Sequence, residues 1–276
     1  MAGRIFIGTS GYAYPHWRRR FYPKAVPLRA WLAFYTRHFS TVELNNPFYR
    51  LPDARHFTAW RHAVPDGFVF AVKASRFLTH IKRLRQPADP LRRFLGRARR
   101  LQRTLGPVLF QLPGHFHADL GRLDRFLAAL GRQRYVRDLR AVLEVRHASW
   151  LEPTVISRLE QAGVALCLAD WSELPVTDVL TADFVYIRRH GRVRYGGSYS
   201  EASLKDDARR IRGWQREGRD VYVYFNNDRR AFAVRNALTL RALVGQSAPA
   251  GPTPAASRRG GGAAGERRGR ARGRRR

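Results

Sequence analysis

Short runs of uninterrupted apolar residues recur along most of this chain and alternate with segments of helical spacing. Ile5–Gly8, Thr41–Leu44, Phe68–Val72, Val108–Gln111, Ala141–Val145, Val164–Ala169, Phe184–Arg188 and Val221–Phe225 read as strands. Between and after them, Leu28–His38, Asp53–His62, Pro90–Leu105, Leu120–Leu130, Pro153–Ala162, Leu204–Glu217 and Ala231–Leu243 read as helices. Asp53 is the expected N-cap of its helix, Pro153 opens another, and Gly218 closes a third. The segment after the sixth strand, ADWSELPVTDVLTAD, is irregular. Strands this short and this apolar suit a parallel sheet covered on both faces. Eight of them in about 245 residues predict an α/β fold of TIM-barrel-like (β/α)8 type.

The alternation stops near Gln246. Residues 246–276, ending in RRGGGAAGERRGRARGRRR, have almost nothing to bury and read as a disordered basic tail. Residues 1–245 then form the single barrel-like domain. The whole chain carries 52 Lys and Arg against 21 Asp and Glu, a net of +31. The tail holds nine arginines and one glutamate, so the body keeps +23. Such a charge attracts polyanions, and Arg/Gly runs suit nucleic acid. A compositional bias towards arginine is the competing explanation, because only four of the 52 basic residues are lysine.

No apolar run is long enough for a membrane helix, and the N-terminus enters a strand without a signal-like core. No membrane partner and a cytoplasmic location are expected. Cys167, the only cysteine, lies in the apolar run VALCLA and reads as core. One cysteine excludes a disulfide framework and a cysteine-based zinc cluster. Oligomeric state is not legible.

In a barrel of this type, function gathers where strands end. Those ends carry Ser10, Glu43, Asn45, Asn46, Lys73, Arg76, Gln111, Glu144, Arg146, His147, Asp170, Arg188, His190, Tyr224, Asn226 and Asn227. Four of the five asparagines form two doublets, after strands two and eight, which would flank strand one in a closed barrel. They suit substrate orientation or, alternatively, turn chemistry. Lys73 stays lysine in an arginine-rich chain. A compact ammonium shifts its pKa on burial and a guanidinium does not, although an ion pair with a barrel carboxylate would explain it too. Glu43 and Glu144 could share acid–base work if their surroundings separate their pKa values, or instead form a buried Glu–Arg network. His147 could be a base, a phosphate donor or a local structural ligand.

A divalent metal is weakly signalled, through convergence of Glu43, Glu144, Asp170 and Asp228. No nucleotide-cofactor motif is present. The GTSGY turn after strand one could cradle a phosphate with its N–H groups. SRFLTHIKRL, residues 75–84, sets Arg76 and His80 beside aromatic and apolar residues on the long loop after strand three, as an anionic ligand would want.

The motifs IGTSGY, VELNNPFYRLP, FVFAVKASRFLTHIKRL, LGPVLFQLP, LEVRHASW and DVYVYFNND together resemble the domain of unknown function 72, or YecE-like, family. The resemblance runs from Arg4 to Leu243. It implies a TIM-barrel-like fold and a shared pocket rather than a reaction. The pocket it implies contains Glu43, Lys73, Arg76, His80, Gln111, Glu144, Arg146, His147, Asp170, Arg188, Tyr224, Asn226 and Asn227. The chain departs in reading NNPFYR where relatives often read NSTFYR, and in its basic tail.

Two functions are expected from these readings. The first is a barrel enzyme acting on a phosphorylated or nucleic-acid-derived anion. Glu144 and Glu43 would be its acid–base pair, with Lys73 and His147 beside them. Ser10, Asn45, Asn46, Arg76, His80, Gln111, Arg146, Asp170, Arg188, Tyr224, Asn226 and Asn227 would bind substrate. The second is a non-catalytic nucleic-acid-binding protein using the basic barrel face and the tail.

Overall fold

A computed structural model of the chain describes residues 1–133, 139–174, 177–191 and 196–247. The expected tail therefore lies almost wholly outside the described residues. Among the described residues, the strands pair in parallel and fall into two sheets. One sheet orders β1 (Ile5–Thr9), β9 (Asp220–Phe225), β8 (Phe184–Arg189) and β7 (Leu168–Ala169). The other orders β2 (Thr41–Leu44), β3 (Val69–Lys73), β4 (Leu105–Gln111), β5 (Ala141–Glu144) and β6 (Ala165–Leu166).

The expected single eight-stranded ladder is therefore replaced by an α/β fold with two parallel sheets. The reasons are local. The sixth strand changes partner at Cys167: Ala165 and Leu166 pair with β5, while Leu168 and Ala169 pair with β8. On the other side, β1 and β2 share one bridge, Ser10 with Glu43. Gly8 is what lets these strands approach, since a Cβ there would lie 2.3 Å from the Thr41 carbonyl oxygen.

Strand alternation divides the core in two. Phe6, Ala71, Leu109, Val142, Cys167, Tyr186, Tyr222 and Tyr224 belong to a cluster drawn only from strand segments of both sheets. A larger cluster joins the opposite strand faces, such as Ile7, Phe70, Val72 and Phe110, to helix residues such as Leu91, Phe94 and Phe126. Cys167 is buried, as its apolar run predicts.

The helices depart from their predicted spans where tertiary contacts intervene. The first, α1 (Trp31–Tyr35), is short because Leu28–Ala30 is a 3₁₀ turn and Trp31 stacks on Tyr22 at 4.2 Å. Asn46–Tyr49 forms a one-turn α2 that periodicity missed. In α3 (Ala54–His62) Asp53 holds the N-cap position without a side-chain cap bond, its carboxylate lying 3.4 Å from Arg97. The arginine-rich α4 (Ala88–Ala98) ends early, in a 3₁₀ segment where Gln102 adopts φ +50° before β4. Helices α5 (Leu120–Gly131), α6 (Pro153–Gln161), α7 (Glu201–Arg216) and α8 (Phe232–Leu243) match their predicted positions closely. Among the described residues, no helix is long and apolar enough to cross a membrane.

Candidate functional site

Parallel strands put all their C-terminal ends on one edge. There, inward-facing side chains change from apolar to charged. Register sets Glu43 beside Ala71, Gln111 beside Glu144, and Arg188 beside Tyr224. Arg188 is the hub. Its Nη1 donates to Glu144 Oε2 at 2.7 Å, and its Nη2 donates to Glu43 Oε1 at 2.8 Å and Ser10 Oγ at 3.0 Å. Tyr186 OH donates to the other Glu43 oxygen at 2.6 Å, and the Ser10 hydroxyl donates to Glu43 Oε1. Arg146 completes the chain, with Nε donating to Glu144 Oε1 at 2.8 Å and its guanidinium 3.7 Å from the Trp171 ring centre. His190 Nε2 lies 3.3 Å from the same Glu144 oxygen.

Both glutamates are fully buried. Burial alone would push the Glu144 carboxyl up; Arg188, Arg146 and His190 outweigh it and hold the group well below the usual carboxylate range. Burial works against the Arg188 charge as well, but Glu144 and Glu43 hold it on. Glu144 is thus a fixed anion between cations and a weak base.

Lys73 behaves differently. Among the described residues its ammonium has no hydrogen bond or ion pair, and Nζ sits 4.0 Å from the Phe48 ring centre. The alternative reading of Lys73, an ion pair with a barrel carboxylate, is not what forms. Burial, then Arg188, lowers its pKa to about 7, with Glu144 and Glu43 opposing. The ring face is an attractive neighbour for the ammonium. His80 is lowered to about 4, by burial and then by Lys73 and Arg76. Its Nδ1 is 2.9 Å from the Thr79 hydroxyl.

Two cavities meet at Lys73 and Tyr49. The first, about 490 Å³, is lined by Gly11, Tyr12, Tyr14, Asn45, Asn46, Arg188, Asn226 and Asp228. The second, about 450 Å³, is lined by Phe48, Arg76, His80, Gln111, Arg146, Trp171 and Glu173. One arm thus offers amides and phenols, and the other offers cations and rings. Asn45 donates to Ser10 Oγ at 2.9 Å, and its buried Oδ1 has no hydrogen-bond partner. Arg76 is exposed and has no ion pair among the described residues.

Three of the four doublet asparagines line one cavity, because β2 and β9, the strands they follow, both lie beside β1. Asn227 does not join them. It donates to Gly197 O and Asn236 Oδ1, fastening the segment after β8 to α8. Other predicted site residues also line neither cavity. His147 caps the 3₁₀ turn Ala148–Leu151, its Nδ1 accepting from Ser149 N at 3.2 Å, and packs on His117. Asp170 accepts from His190 N at 2.6 Å and from the Tyr199 hydroxyl. Tyr224 sits lower, its hydroxyl 2.6 Å from Thr41 Oγ1. Gln111 lines the second cavity, although its amide nitrogen is spent on Leu112 O at 2.6 Å.

The GTSGY turn is not a free phosphate cradle, because Ser10 N donates to Phe225 O and Gly11 N to Glu43 O. The four carboxylates suggested for a metal do not converge. Glu43 and Glu144 meet at Arg188, Asp170 goes to Tyr199, and the Asp228 carboxylate lies 3.6 Å from His16. Among the described residues no group of three or more His, Cys, Asp or Glu is placed to hold a metal ion.

Sequence reasoning missed Tyr186, Tyr14, Tyr49 and Trp171. Tyr186 had a signal: Tyr186, Arg188 and His190 share one strand face by alternation. The others had none in the periodicity, since Tyr14 and Trp171 lie in irregular segments and Tyr49 ends the one-turn α2.

The fold and site define a parallel α/β protein with a charged cleft at the strand ends. The chain belongs to the family described as "Protein of unknown function DUF72", whose profile matches residues 6–258. It is 26% identical over 273 residues to the UPF0759 protein YunF of Bacillus subtilis, covering 87% of this chain and 94% of that one. It is 31% identical over 173 residues to the UPF0759 protein YecE of Escherichia coli, covering 60% of this chain and 59% of that one. A crystal structure of a DUF72 family protein from Thermotoga maritima superposes with a TM-score of 0.76 at 27% identity, covering 87% of this chain and 99% of that chain. One from Enterococcus faecalis has a TM-score of 0.73 at 20% identity, covering 88% and 96%, and speaks to fold alone.

Proposed function

We propose that this protein is an enzyme of interrupted (β/α)8-barrel form that acts on a small anionic substrate held across the two-armed cleft. The observation that carries this reading is Lys73. It is a partly buried amine without an acidic partner where two cavities meet, and its pKa is lowered to about 7. A group poised near neutrality moves protons in either direction with little cost. The proton-transfer role expected of Glu144 and Glu43 passes to Lys73. The two carboxylates instead hold Arg188 and Arg146 in place, and these cations stabilise negative charge on the substrate. Arg76 recruits the anion from solvent. Asn45, Asn46 and Asn226 orient its polar remainder. A cytoplasmic location belongs to the same proposal.

The test is thermal stabilisation and calorimetric binding across a panel of phosphorylated and carboxylated metabolites. Binding by at least one anion, weakened about tenfold or more by Arg76→Gln and Lys73→Met, is the expected result. No anion bound, or binding indifferent to both substitutions, rejects the reading.

The net charge of +31 favours one competing function, nucleic-acid binding without catalysis. Backbone binding should weaken steeply with salt, with a log–log slope of about −0.9 per neutralised phosphate on duplex DNA. Comparing the full chain with residues 1–245 would separate the tail's contribution from the cleft's.

A further inference from the structure

We infer that Lys73 is a covalent catalytic residue that forms an imine with the carbonyl group of an anionic aldehyde or ketone. The proposal deepens the reading of the cleft and rests on it. A lysine that only neutralised charge would face a carboxylate. This one faces an aromatic ring and open space, while both nearby glutamates are committed to Arg188. The cavity beyond it carries Arg76, Arg146 and His80, a place for a carboxylate or phosphate a few atoms from the reacting carbon. The other cavity presents asparagines and tyrosines, suited to hydroxyl groups on the rest of the molecule. Lysine is made nucleophilic by desolvation and neighbouring cations, and both act here.

The step balances. The neutral amine attacks the carbonyl carbon; the C–N bond forms as the C=O π pair moves to oxygen, which takes a proton. The nitrogen loses a proton, and the carbinolamine oxygen takes another as it leaves as water. The nitrogen lone pair closes the C=N bond as the C–O bond breaks, so the products are a protonated imine and one water; one proton is taken up overall, and nothing is oxidised or reduced. Tyr49 lines both cavities, and His80 lines the cationic one and is uncharged at neutral pH. They are the adjacent groups through which these protons pass.

The experiment is borohydride trapping of the full chain, followed by intact mass and peptide mapping. Pyruvate and glyoxylate form the carboxylate arm, glyceraldehyde 3-phosphate the phosphate arm, and glycolaldehyde the uncharged control. The chain has only four lysines (Lys24, Lys73, Lys82 and Lys205), so the site can be assigned cleanly. Expected is one adduct on Lys73, heavier by the carbonyl compound less one oxygen atom. It should form about tenfold faster with an anionic compound than with glycolaldehyde. The labelling rate should rise through about pH 7. Lys73→Met, checked for folding by circular dichroism, should lose the adduct. Labelling spread over all four lysines, no adduct in either arm, or an adduct surviving in Lys73→Met overturns the proposal. Lactate and glycerol 3-phosphate, which lack a carbonyl group, separate the two failures. If they bind through Arg76 while no adduct forms, the imine falls and the anion cleft stands. If neither they nor the carbonyl compounds bind, both fall.

Discussion

Arginine meets carboxylate at both ends of the strands, in different surroundings. At the C-terminal ends, Arg188 and Arg146 bracket Glu43 and Glu144, and every one of these side chains is less than a tenth exposed. At the N-terminal ends, Asp220 joins Arg4 and Arg140. Asp220 accepts from Arg4 N at 2.7 Å and from Arg140 Nη1 at 2.6 Å, and the Arg140 guanidinium also meets the Tyr222 hydroxyl. Here the arginine side chains are 71% and 32% exposed. In the dry network each charge is satisfied only by its neighbours, so losing one leaves another uncompensated. In the wet network water replaces a lost partner. The contrast explains why one end can hold a lysine near neutrality while the other only fastens the sheet edge.

The comparison is broken most forcefully at its hub. Arg188→Met leaves two buried carboxylates facing each other. It should cost about 5 kcal/mol or more, read as a lost or sharply lowered urea midpoint. Glu144→Gln should cost about 3–5 kcal/mol by the same logic. Asp220→Asn keeps some of the hydrogen bonds and lets water in, so about 1–2 kcal/mol is expected in the same titration. Equal losses from the Glu144 and Asp220 variants would show that the two networks do not differ as described.

Lys73→Met should stabilise the protein. The lysine's folded value of about 7 lies below its unfolded value. Between about 7 and about 10.4 the unfolded chain holds the extra proton, so wild-type stability rises with pH across that window. The penalty is complete below it. The variant should therefore melt about 2–5 °C higher at neutral pH, and the gain should vanish towards pH ~10. An unchanged melting temperature would mean the amine is well hydrated and sits outside this contrast. Arg4→Ala is the smallest effect, under about 1 kcal/mol and erased in ~1 M salt, measured against wild type at both ionic strengths.

Much of this arrangement was legible before the structure. The apolar runs located nearly every strand, and the asparagine doublets and the exceptional lysine pointed to the cleft. The parity of Tyr186, Arg188 and His190 was available but unused. His147, Asp170, Tyr224 and Asn227 line neither cavity, for one reason: a polar residue at a strand end has two faces and several turns to choose from. Periodicity ends where the strand does. His147 turned to cap its own turn, and Asn227 turned to a helix. Asp53 failed to cap because Arg97, distant in sequence, supplied a partner.

The sequence by itself determined the order of strands and helices, because local spacing decides which faces can be buried. It also determined which residue types stand at the strand ends. Only the tertiary structure decided which carboxylates are neutralised and which amine is left alone. Those outcomes depend on distances between residues as far apart in sequence as Glu43 and Arg188. They depend equally on the removal of water around them, and no local pattern in the chain encodes either.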